Sequence, residues 1–326
     1  MKTRNLFCRL SLLKYKFRSA RLLALASGLL FLLVACVTPF NNTPAALSGQ
    51  IKVDGSTALQ PLVSKAATSF EKLYPQVHIN VSGGGSVTGL SDVASHRVDI
   101  GDSDIYADPA TYPDPNLTDH LVCVIPFTMI VSSDINLTNL TTSDIINIFA
   151  TGKYTNWAQL GGPDLPIVPI VRPPTSGTRA TFRRYILGGR DELSTLTAIS
   201  SSQDLVTRVA QTPGAIGYLA ASVLNAQVRV ISINSYAASL KNIESGHYTF
   251  WSYEHMYTLN TLNQTNGALI DAFLNFMLAP QFQPQVVALH YFPISDLKFP
   301  LLSANTPVGT SLGTPYLVEE RKRFRV

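Results

Sequence analysis

The chain has few of the residues from which covalent frameworks are built. Three cysteines occur among 326 residues, and Cys8 lies in an N-terminal stretch that we expect to be removed on export. Cys36 stands at the end of that stretch, so Cys123 would be left alone in the body of the chain. No disulfide can then form within the mature protein. Because Cys123 lies inside an apolar run, we predict a small buried hydrophobic residue.

Signals of catalysis are scarce as well. The six histidines show no metal-ligand spacing, and no P-loop lysine follows the glycine runs. A nucleophile elbow around Ser86 would need a glycine where Thr88 stands. A phosphatase needs metal ligands or an activated nucleophile. We therefore expect a protein that is not an enzyme and that uses no metal and no cofactor.

Charge is sparse, at 14% of residues, and the net value of +4 is misleading. Seven of the 25 basic residues lie in residues 1–35, which hold no acidic residue, so 18 basic and 21 acidic side chains remain. A slightly acidic body excludes the basic footprint of a nucleic-acid-binding protein. The basic run at residues 321–325 is typical of a solvated chain end and, less often, of a contact with a membrane surface or partner.

Residues 1–35 are typical of an export signal. Leu22–Ala35 is an apolar run of 14 residues behind a basic stretch, shorter than the roughly 20 residues of a membrane-spanning helix. It ends in Leu33-Val34-Ala35-Cys36, which resembles the lipobox of bacterial lipoproteins and implies lipidation of Cys36. The alternative is an ordinary secretory signal with an incidental cysteine. Residues 36–48, rich in Pro, Asn, Thr and Ala, predict a flexible tether between membrane and domain.

From Gly49 onward, short apolar strands alternate with amphipathic helices. The first 55 or so residues of this part have β-α-β-α-β order, which predicts an α/β fold with an open, largely parallel sheet. In such sheets ligands bind beyond the strand ends, near helix N-termini. A second unit follows, with strands predicted at 121–131, 165–171, 215–219 and 228–233 and helices at 143–150, 178–187, 204–210 and 269–278.

Three places share one construction: a strand end, a turn of small and hydroxyl residues, and a helix start. They are Ser56-Thr57, Gly85-Ser86 and Thr175-Ser176-Gly177-Thr178. A helix start leaves about four backbone N–H groups unpaired and carries roughly half a positive charge, so it binds oxyanions readily. Ser and Thr also cap helices for purely structural reasons. Three such turns in one chain, with Arg172 just before the third, favour an oxyanion site.

Two charged residues indicate which oxyanion. Arg172 can donate two parallel hydrogen bonds to anion oxygens, although an interdomain salt bridge is the alternative. Asp104 repels an anion unless the ligand carries a proton, because an ionised carboxylate only accepts hydrogen bonds. Phosphate carries such a proton near neutral pH and sulfate does not. Sites built around a ligand O–H reject analogues that lack it by roughly 10⁴–10⁵-fold. The alternative for Asp104 is a turn-capping carboxylate.

The motifs together resemble the PstS-like phosphate-binding proteins of bacterial phosphate ABC transporters. The resemblance runs from about residue 49 to 295. Its motifs are Asp54-Gly55-Ser56-Thr57-Ala58-Leu59-Gln60-Pro61, Gly83-Gly84-Gly85-Ser86, Val98-Asp99-Ile100-Gly101-Asp102-Ser103-Asp104, residues 172–182 and Trp251-Ser252-Tyr253-Glu254-His255.

This resemblance implies a two-domain periplasmic-binding-protein fold of type II that closes over its ligand. Domain 1 would comprise residues 49–127 plus 250–298, and domain 2 residues 128–249, with a tail of unknown role at 299–326. The implied phosphate ligands are Thr57, Ala58, Ser86, Asp104, Arg172, Ser176, Gly177 and Thr178. Two departures are Val87 after the serine and Pro174 where some relatives have an acidic residue, which leaves Arg172 without a local acidic partner.

We therefore expect an extracytoplasmic lipoprotein, anchored to the cell membrane through Cys36, that captures inorganic phosphate as a monomer. Its further partners would be the permease and ATPase of an ABC importer, and no nucleic acid. Alternatives are a receptor for another tetrahedral oxyanion, such as sulfate or molybdate, and a phosphate sensor not coupled to import. Asp104 argues against the first of these.

Overall fold

The computed structural model describes residues 47–259 and 266–298. By internal contacts the chain divides into Met1–Ala46 and Leu47–Val326, and the described residues belong to the second unit. The predicted export signal, the lipidated Cys36, most of the tether and the tail at 299–326 lie outside the described residues. Within them, no helix has the length and apolarity needed to cross a membrane.

The first half of the fold is a parallel three-stranded arrangement with order β2-β1-β3. Helix α1 forms because a proline sits in its first turn and apolar residues recur along one face, and Tyr74-Pro75 ends it. The predicted β-α-β-α-β order is confirmed here. Its elements are β1 (Gly49–Gly55), α1 (Gln60–Leu73), β2 (Val77–Val81), α2 (Ser86–Ala94) and β3 (Ile100–Ser103).

Two long antiparallel strands form the centre of the sheet. Strand β4 (Leu117–Val131) is followed much later in the chain by β10 (Trp251–Leu259), which pairs antiparallel with both β3 and β4. The expectation of a largely parallel sheet is therefore wrong for the whole sheet, which is mixed. The local pattern failed because β10 pairs with strands more than 120 residues away, and only chain-distant pairing decides its direction.

The remaining strands extend the sheet beyond β4 in the order β4-β8-β6-β7, while β9 pairs with β4 and β5. Pairs β6–β8, β6–β7 and β5–β9 are parallel, and β4 is antiparallel to β8 and β9. The elements are β5 (Asn139–Leu140), α3 (Thr142–Phe149), β6 (Val168–Val171), α4 (Gly177–Tyr185), β7 (Thr197–Ala198), α5 (Ser202–Gln211), β8 (Ala215–Ala220), β9 (Arg229–Ile233), α6 (Leu240–Glu244), α7 (Gly267–Leu278) and α8 (Gln283–Ala288).

Strand β4 changes partners at one point. Up to Pro126 it pairs with β10, and from Phe127 it pairs with β8. The chain returns through the same place just before β10, where the Phe127 N–H donates to the Phe250 carbonyl at 3.0 Å. The rings of these two residues lie 5.2 Å apart. Two adjacent segments thus connect the β2-β1-β3 side of the sheet to the β8-β6-β7 side.

Apolar side chains fill both faces of this sheet. On the first side, α1 buries Leu62, Val63, Ala66 and Phe70, and the Phe70 ring meets Phe273 of α7 edge-on at 5.5 Å. On the second side, the Phe182 ring of α4 stacks on Tyr218 at 4.0 Å. Cys123 is fully buried on β4, as predicted, and burial raises the pKa of its thiol well above the usual value. The packing of helices on these strands holds the strand ends at fixed positions.

Helix α1 offers a matched pair for testing this core, because Leu62 is fully buried and Leu73 is 61% exposed. Leu62→Ala should lower the free energy of unfolding by about 2–5 kcal/mol, since a buried leucine leaves a cavity. Leu73→Ala should change it by no more than about 0.5 kcal/mol. Urea unfolding followed by circular dichroism measures both. Equal costs for the two substitutions would contradict this packing of α1.

Candidate anion-binding site

The predicted site residues lie at strand ends and helix starts of the two sides of the sheet. Thr57 follows β1, Ser86 begins α2 and Asp104 follows β3. Because β1, β2 and β3 are parallel, their carboxyl ends lie at one edge. From the other side, Arg172 follows β6, and Gly177 begins α4. All eight predicted residues are buried: Thr57, Ala58, Ser86, Asp104, Arg172, Ser176, Gly177 and Thr178.

Asp104 receives hydrogen bonds from both sides of the sheet. Ser56 Oγ donates to its Oδ1, and Thr178 Oγ1 donates to its Oδ2 at 2.9 Å. The Asp104 N–H donates to Ser86 Oγ at 2.9 Å, and Ser252 Oγ donates to the Asp104 carbonyl. The alternative prediction, that Asp104 only caps its own turn, therefore does not account for these contacts. Its carboxylate connects residues more than 70 positions apart.

The guanidinium of Arg172 is surrounded by neutral acceptors. Nε donates to the Ile199 carbonyl at 3.0 Å, and one terminal nitrogen donates to Ser202 Oγ at 2.9 Å. The other terminal nitrogen donates to Thr57 Oγ1 at 2.9 Å and to the Ser200 carbonyl at 2.8 Å. Arg172 forms no ion pair among the described residues. The alternative prediction, an interdomain salt bridge of Arg172, is therefore not observed in this part of the chain. Its positive charge remains available to a ligand.

A second network fixes the backbone of Arg172. Its N–H donates to the Tyr218 hydroxyl at 3.2 Å, and that hydroxyl donates to Glu192 Oε1 at 2.7 Å. Arg179 contacts both ends of this series of hydrogen bonds. It forms an ion pair with Glu192 at 2.6 Å and donates to the Arg172 carbonyl at 2.8 Å. Burial raises the pKa of Glu192, while the Tyr218 hydrogen bond and Arg179 lower it. Arg179 is thus neutralised locally, and Arg172 is not.

Two glycines let the turns from opposite sides touch. Gly85 has φ +94°, and a Cβ there would lie 2.7 Å from the Thr175 carbonyl oxygen. A Cβ on Gly177 would lie 2.3 Å from Ser86 Oγ and 2.8 Å from Asp104 Cβ. The Val87 N–H also donates to the Thr175 carbonyl at 3.1 Å. Any side chain at either glycine would hold the turns apart.

Helix starts at the site differ in how they are capped. Ser56 Oγ accepts from the N–H groups of Ala58 at 3.0 Å and Leu59 at 3.1 Å. The predicted Ala58 N–H donor is therefore engaged within its own turn in this structure. Ser176 Oγ accepts from the Arg179 N–H at 3.3 Å as the N-cap of α4. The N–H groups of Gly177 and Thr178 belong to the first turn of α4, which has no intrahelical acceptors for them.

Sequence reasoning missed Ser202 and Glu254. Ser202 is fully buried at the start of α5 and contacts both Arg172 and Thr57. The run Ser200-Ser201-Ser202 before an amphipathic helix was the available signal, since it repeats the construction of the other three turns. Glu254 is fully buried on β10. It stands in a motif that the resemblance includes, but nothing in the local pattern indicates that it is buried.

Burial dominates the electrostatics of the site. It lowers the pKa of Arg172, while Asp104 opposes that shift. It raises the pKa values of Asp102 and Glu254 well above their usual range, and neighbouring carboxylates add to both shifts. The arrangement therefore offers one guanidinium, several hydroxyls and an acceptor carboxylate, all on buried residues. Such a set suits a small anion that carries a proton.

The described residues hold no group of three or more His, Cys, Asp or Glu side chains that could bind a metal ion.

Comparisons with known proteins agree with a binding function. A family model described as a PBP superfamily domain matches residues 41–281. The phosphate-binding protein PstS of Bacillus subtilis is 39% identical over 254 residues, which covers 77% of this chain and 83% of that protein. PstS of Borreliella burgdorferi is 21% identical over 244 residues, covering 70% and 84% of the two chains.

Solved structures show the same fold. A substrate-binding protein assigned to a phosphate ABC transporter of Clostridium perfringens, solved with bound phosphate, superposes with a TM-score of 0.70 at 24% identity and covers 76% of this chain and 100% of its own. An ABC-type phosphate transport receptor from Vibrio cholerae gives 0.60 at 22%, covering 74% and 99%. The predicted periplasmic-binding-protein fold is confirmed. This chain belongs to the PstS family of phosphate-binding proteins, within the PBP superfamily.

Proposed function

We propose that this protein captures inorganic phosphate outside the cytoplasm and delivers it to an ABC importer in the membrane. The observation that carries the proposal is the placement of Asp104, a buried acceptor that receives hydroxyl donors from both sides of the sheet. An anion site with a carboxylate in it favours a ligand that brings its own proton. Membership of the PstS family gives the same ligand.

The ligand would be held by both sides of the sheet. Thr57 and Ser86 would donate hydroxyls from the first side, and Ala58 its N–H once Ser56 releases it. From the second side, Arg172, Ser176 and the helix-start N–H groups of Gly177 and Thr178 would complete the cage. Asp104 would accept the proton of phosphate. Hydrogen bonds such as Arg172 to Thr57 would then be exchanged for bonds to phosphate oxygens.

Two domains with a hinge explain how such a site opens. We assign residues 49–127 plus 250–298 to one domain and 128–249 to the other. The change of partner in β4 at Pro126 and Phe127, and the return of the chain at Phe250, support these boundaries. Neither half provides enough donors for a dehydrated phosphate, so binding energy is realised on closure. The ligand then shifts the open–closed equilibrium by its differential affinity for the two states.

In this proposal, the N-terminal export signal determines where in the cell the protein is located. Export followed by lipidation of Cys36 would tether a monomer to the outer face of the cell membrane, where residues 36–48 give it reach. The permease and ATPase of the importer would be its partners. A receptor for sulfate or molybdate, or a phosphate sensor without an importer, would use the same fold, and the tests below separate the ligands.

Asp104→Asn tests the proton acceptor. The amide replaces a charged acceptor with a group that also donates, so we expect phosphate to bind about ten- to hundredfold more weakly, as loss of a charge-assisted hydrogen bond costs about 1.5–3 kcal/mol. Preference over sulfate should shrink. Calorimetric titration with phosphate, arsenate, sulfate and molybdate measures both effects.

The matched control is Asp99→Asn, because the Asp99 carboxylate accepts from the Lys52 N–H outside the site. It should leave phosphate affinity unchanged. An Asp104→Asn protein with unaltered affinity and selectivity would refute the assigned role, and tighter binding of sulfate than phosphate by the unmodified protein would favour the other oxyanion.

Gly177→Ala tests closure. A methyl group there would meet Ser86 Oγ and Asp104 Cβ, so the halves could not approach and phosphate affinity should fall by at least about tenfold. Gly267→Ala is the control, because a Cβ at the start of α7 would meet nothing within 4 Å. Phosphate titration and thermal unfolding distinguish lost binding from lost folding. Wild-type affinity in Gly177→Ala would show that the two turns do not need to touch.

Cys36→Ala tests the anchor. Without the thiol no lipid can be attached, so the exported protein should move from the membrane fraction to the soluble fraction. Fractionation of cells that express each form, with immunodetection, measures the distribution. Metabolic labelling with a fatty acid should mark the unmodified protein alone. An unmodified protein that takes up no label, or a Cys36→Ala protein that is labelled to the same extent, would exclude lipid anchoring at this cysteine.

A further inference from the structure

Glu254 lies beside the proposed proton acceptor. It stands on β10, opposite Cys123 of β4, next to an irregularity in the strand register between Glu254 and His255. Side chains two positions apart share one face of a strand, and Ser252 Oγ donates to the Asp104 carbonyl. Glu254 is therefore on the face of β10 that lies against Asp104. Its side chain is fully buried.

Hydrogen-bond accounting indicates the protonation state of Glu254. Among the described residues, neither carboxylate oxygen finds a donor. The titratable groups around it are Asp102 and Asp104 beyond β3, Cys123 of β4 and Tyr291 after α8, and none of these is a cation. An ionised, unpaired carboxylate in such a place is costly. As a carboxylic acid, Glu254 would have one O–H to donate, and the Asp104 side chain is the neighbouring acceptor.

The hydrogen-bond donors around this pair are directed at Asp104 and not at Glu254. Two hydroxyl groups, from Ser56 and Thr178, donate to the Asp104 carboxylate, whereas the oxygens of Glu254 receive no donor from the described residues. Donors stabilise the ionised form of the group that accepts them. Burial, and then Asp104, raise the pKa of Glu254 well above its usual value. The proton therefore belongs to Glu254.

Nearly all acceptor positions of the Asp104 carboxylate are then occupied. An ionised carboxylate has about four lone-pair positions. Ser56 and Thr178 take two of them, the Glu254 O–H takes a third, and one is left. We propose that Glu254, as a carboxylic acid, is a positioning residue for the phosphate binding proposed above: it donates to Asp104 and leaves one acceptor position for the ligand proton.

Asp102 supports the same arrangement from β3. Its side chain is 1% exposed, and both of its carboxylate oxygens lack a donor among the described residues. Burial is the largest cause of its raised pKa, and the charges of Asp54 and Asp104 raise the pKa further. Burial and missing donors therefore favour the neutral form of Asp102 as well. One anionic carboxylate, rather than three, then faces the phosphate.

This arrangement makes affinity depend on pH in a defined direction. Because the pKa of Glu254 is raised in the folded protein, its proton stays bound through the usual glutamate range and leaves only as pH rises through the raised value. Loss of the proton would place a second negative charge beside Asp104 and remove its third donor. Phosphate should therefore bind more weakly at alkaline pH than the titration of phosphate itself accounts for.

Glu254→Gln is the decisive variant, since the amide keeps the shape and can still donate an N–H to Asp104 but cannot ionise. Calorimetric titration of the purified protein with inorganic phosphate should give an affinity within about threefold of the unmodified protein near neutral pH. Between neutral and alkaline pH the unmodified protein should lose about tenfold more affinity than the variant, since a change of one pKa unit corresponds to a factor of ten. A pH profile parallel to that of the unmodified protein would overturn the proposal.

Glu254→Leu removes the donor and should weaken phosphate binding by about tenfold or more, whereas Glu244→Gln, at an exposed contact with the Lys298 N–H, should change nothing. Unaltered binding by Glu254→Leu, in protein shown by circular dichroism to be folded, would overturn the role. Infrared spectroscopy supplies a readout that needs no phosphate: the protonated-carboxyl band at neutral pH should lose intensity in Glu254→Gln. Unchanged intensity would contradict the protonated state, and loss of intensity in a protein that binds no phosphate would instead count against the proposed function alone.

Discussion

The carboxylate of Asp104 is the point on which the site depends. It is the acceptor for hydroxyls from two parts of the chain that are distant in sequence, Ser56 after β1 and Thr178 in the first turn of α4. Its own backbone is held by Ser86 and Ser252. A single residue therefore connects four hydroxyl-bearing segments, two through its carboxylate and two through its backbone.

Arg172 provides the opposite charge, and the protein keeps it unneutralised. Carbonyl and hydroxyl acceptors at residues 199–202 hold the guanidinium, so its geometry is fixed without a carboxylate partner. These neutral acceptors position the guanidinium without cancelling its charge. The nearby Arg179 shows the contrast, because Glu192 pairs with it directly.

Buried acids beneath the site show how its charge is limited. Asp102 and Glu254 lie among β1, β3, β4 and β10, where no described cation reaches them, and burial raises the pKa of each. Full ionisation would place three negative charges against an anionic ligand. In the proposed neutral state, both acids would avoid that repulsion and Glu254 would add a donor. The mixed sheet makes this possible, because only the antiparallel insertion of β10 brings Glu254 beside Asp104.

The sequence by itself determined the local parts of this protein. Apolar periodicity located α1, β2 and α7, and the small and hydroxyl residues located the turns that carry the proposed ligands Thr57, Ser86 and Ser176, because each depends on neighbours within a few positions. Only the tertiary structure decided the direction of β10, the burial of Glu254 and the contact of Ser202 with Arg172. Those features arise from pairing across more than a hundred residues, or from burial and hydrogen bonds that no spacing in the chain records.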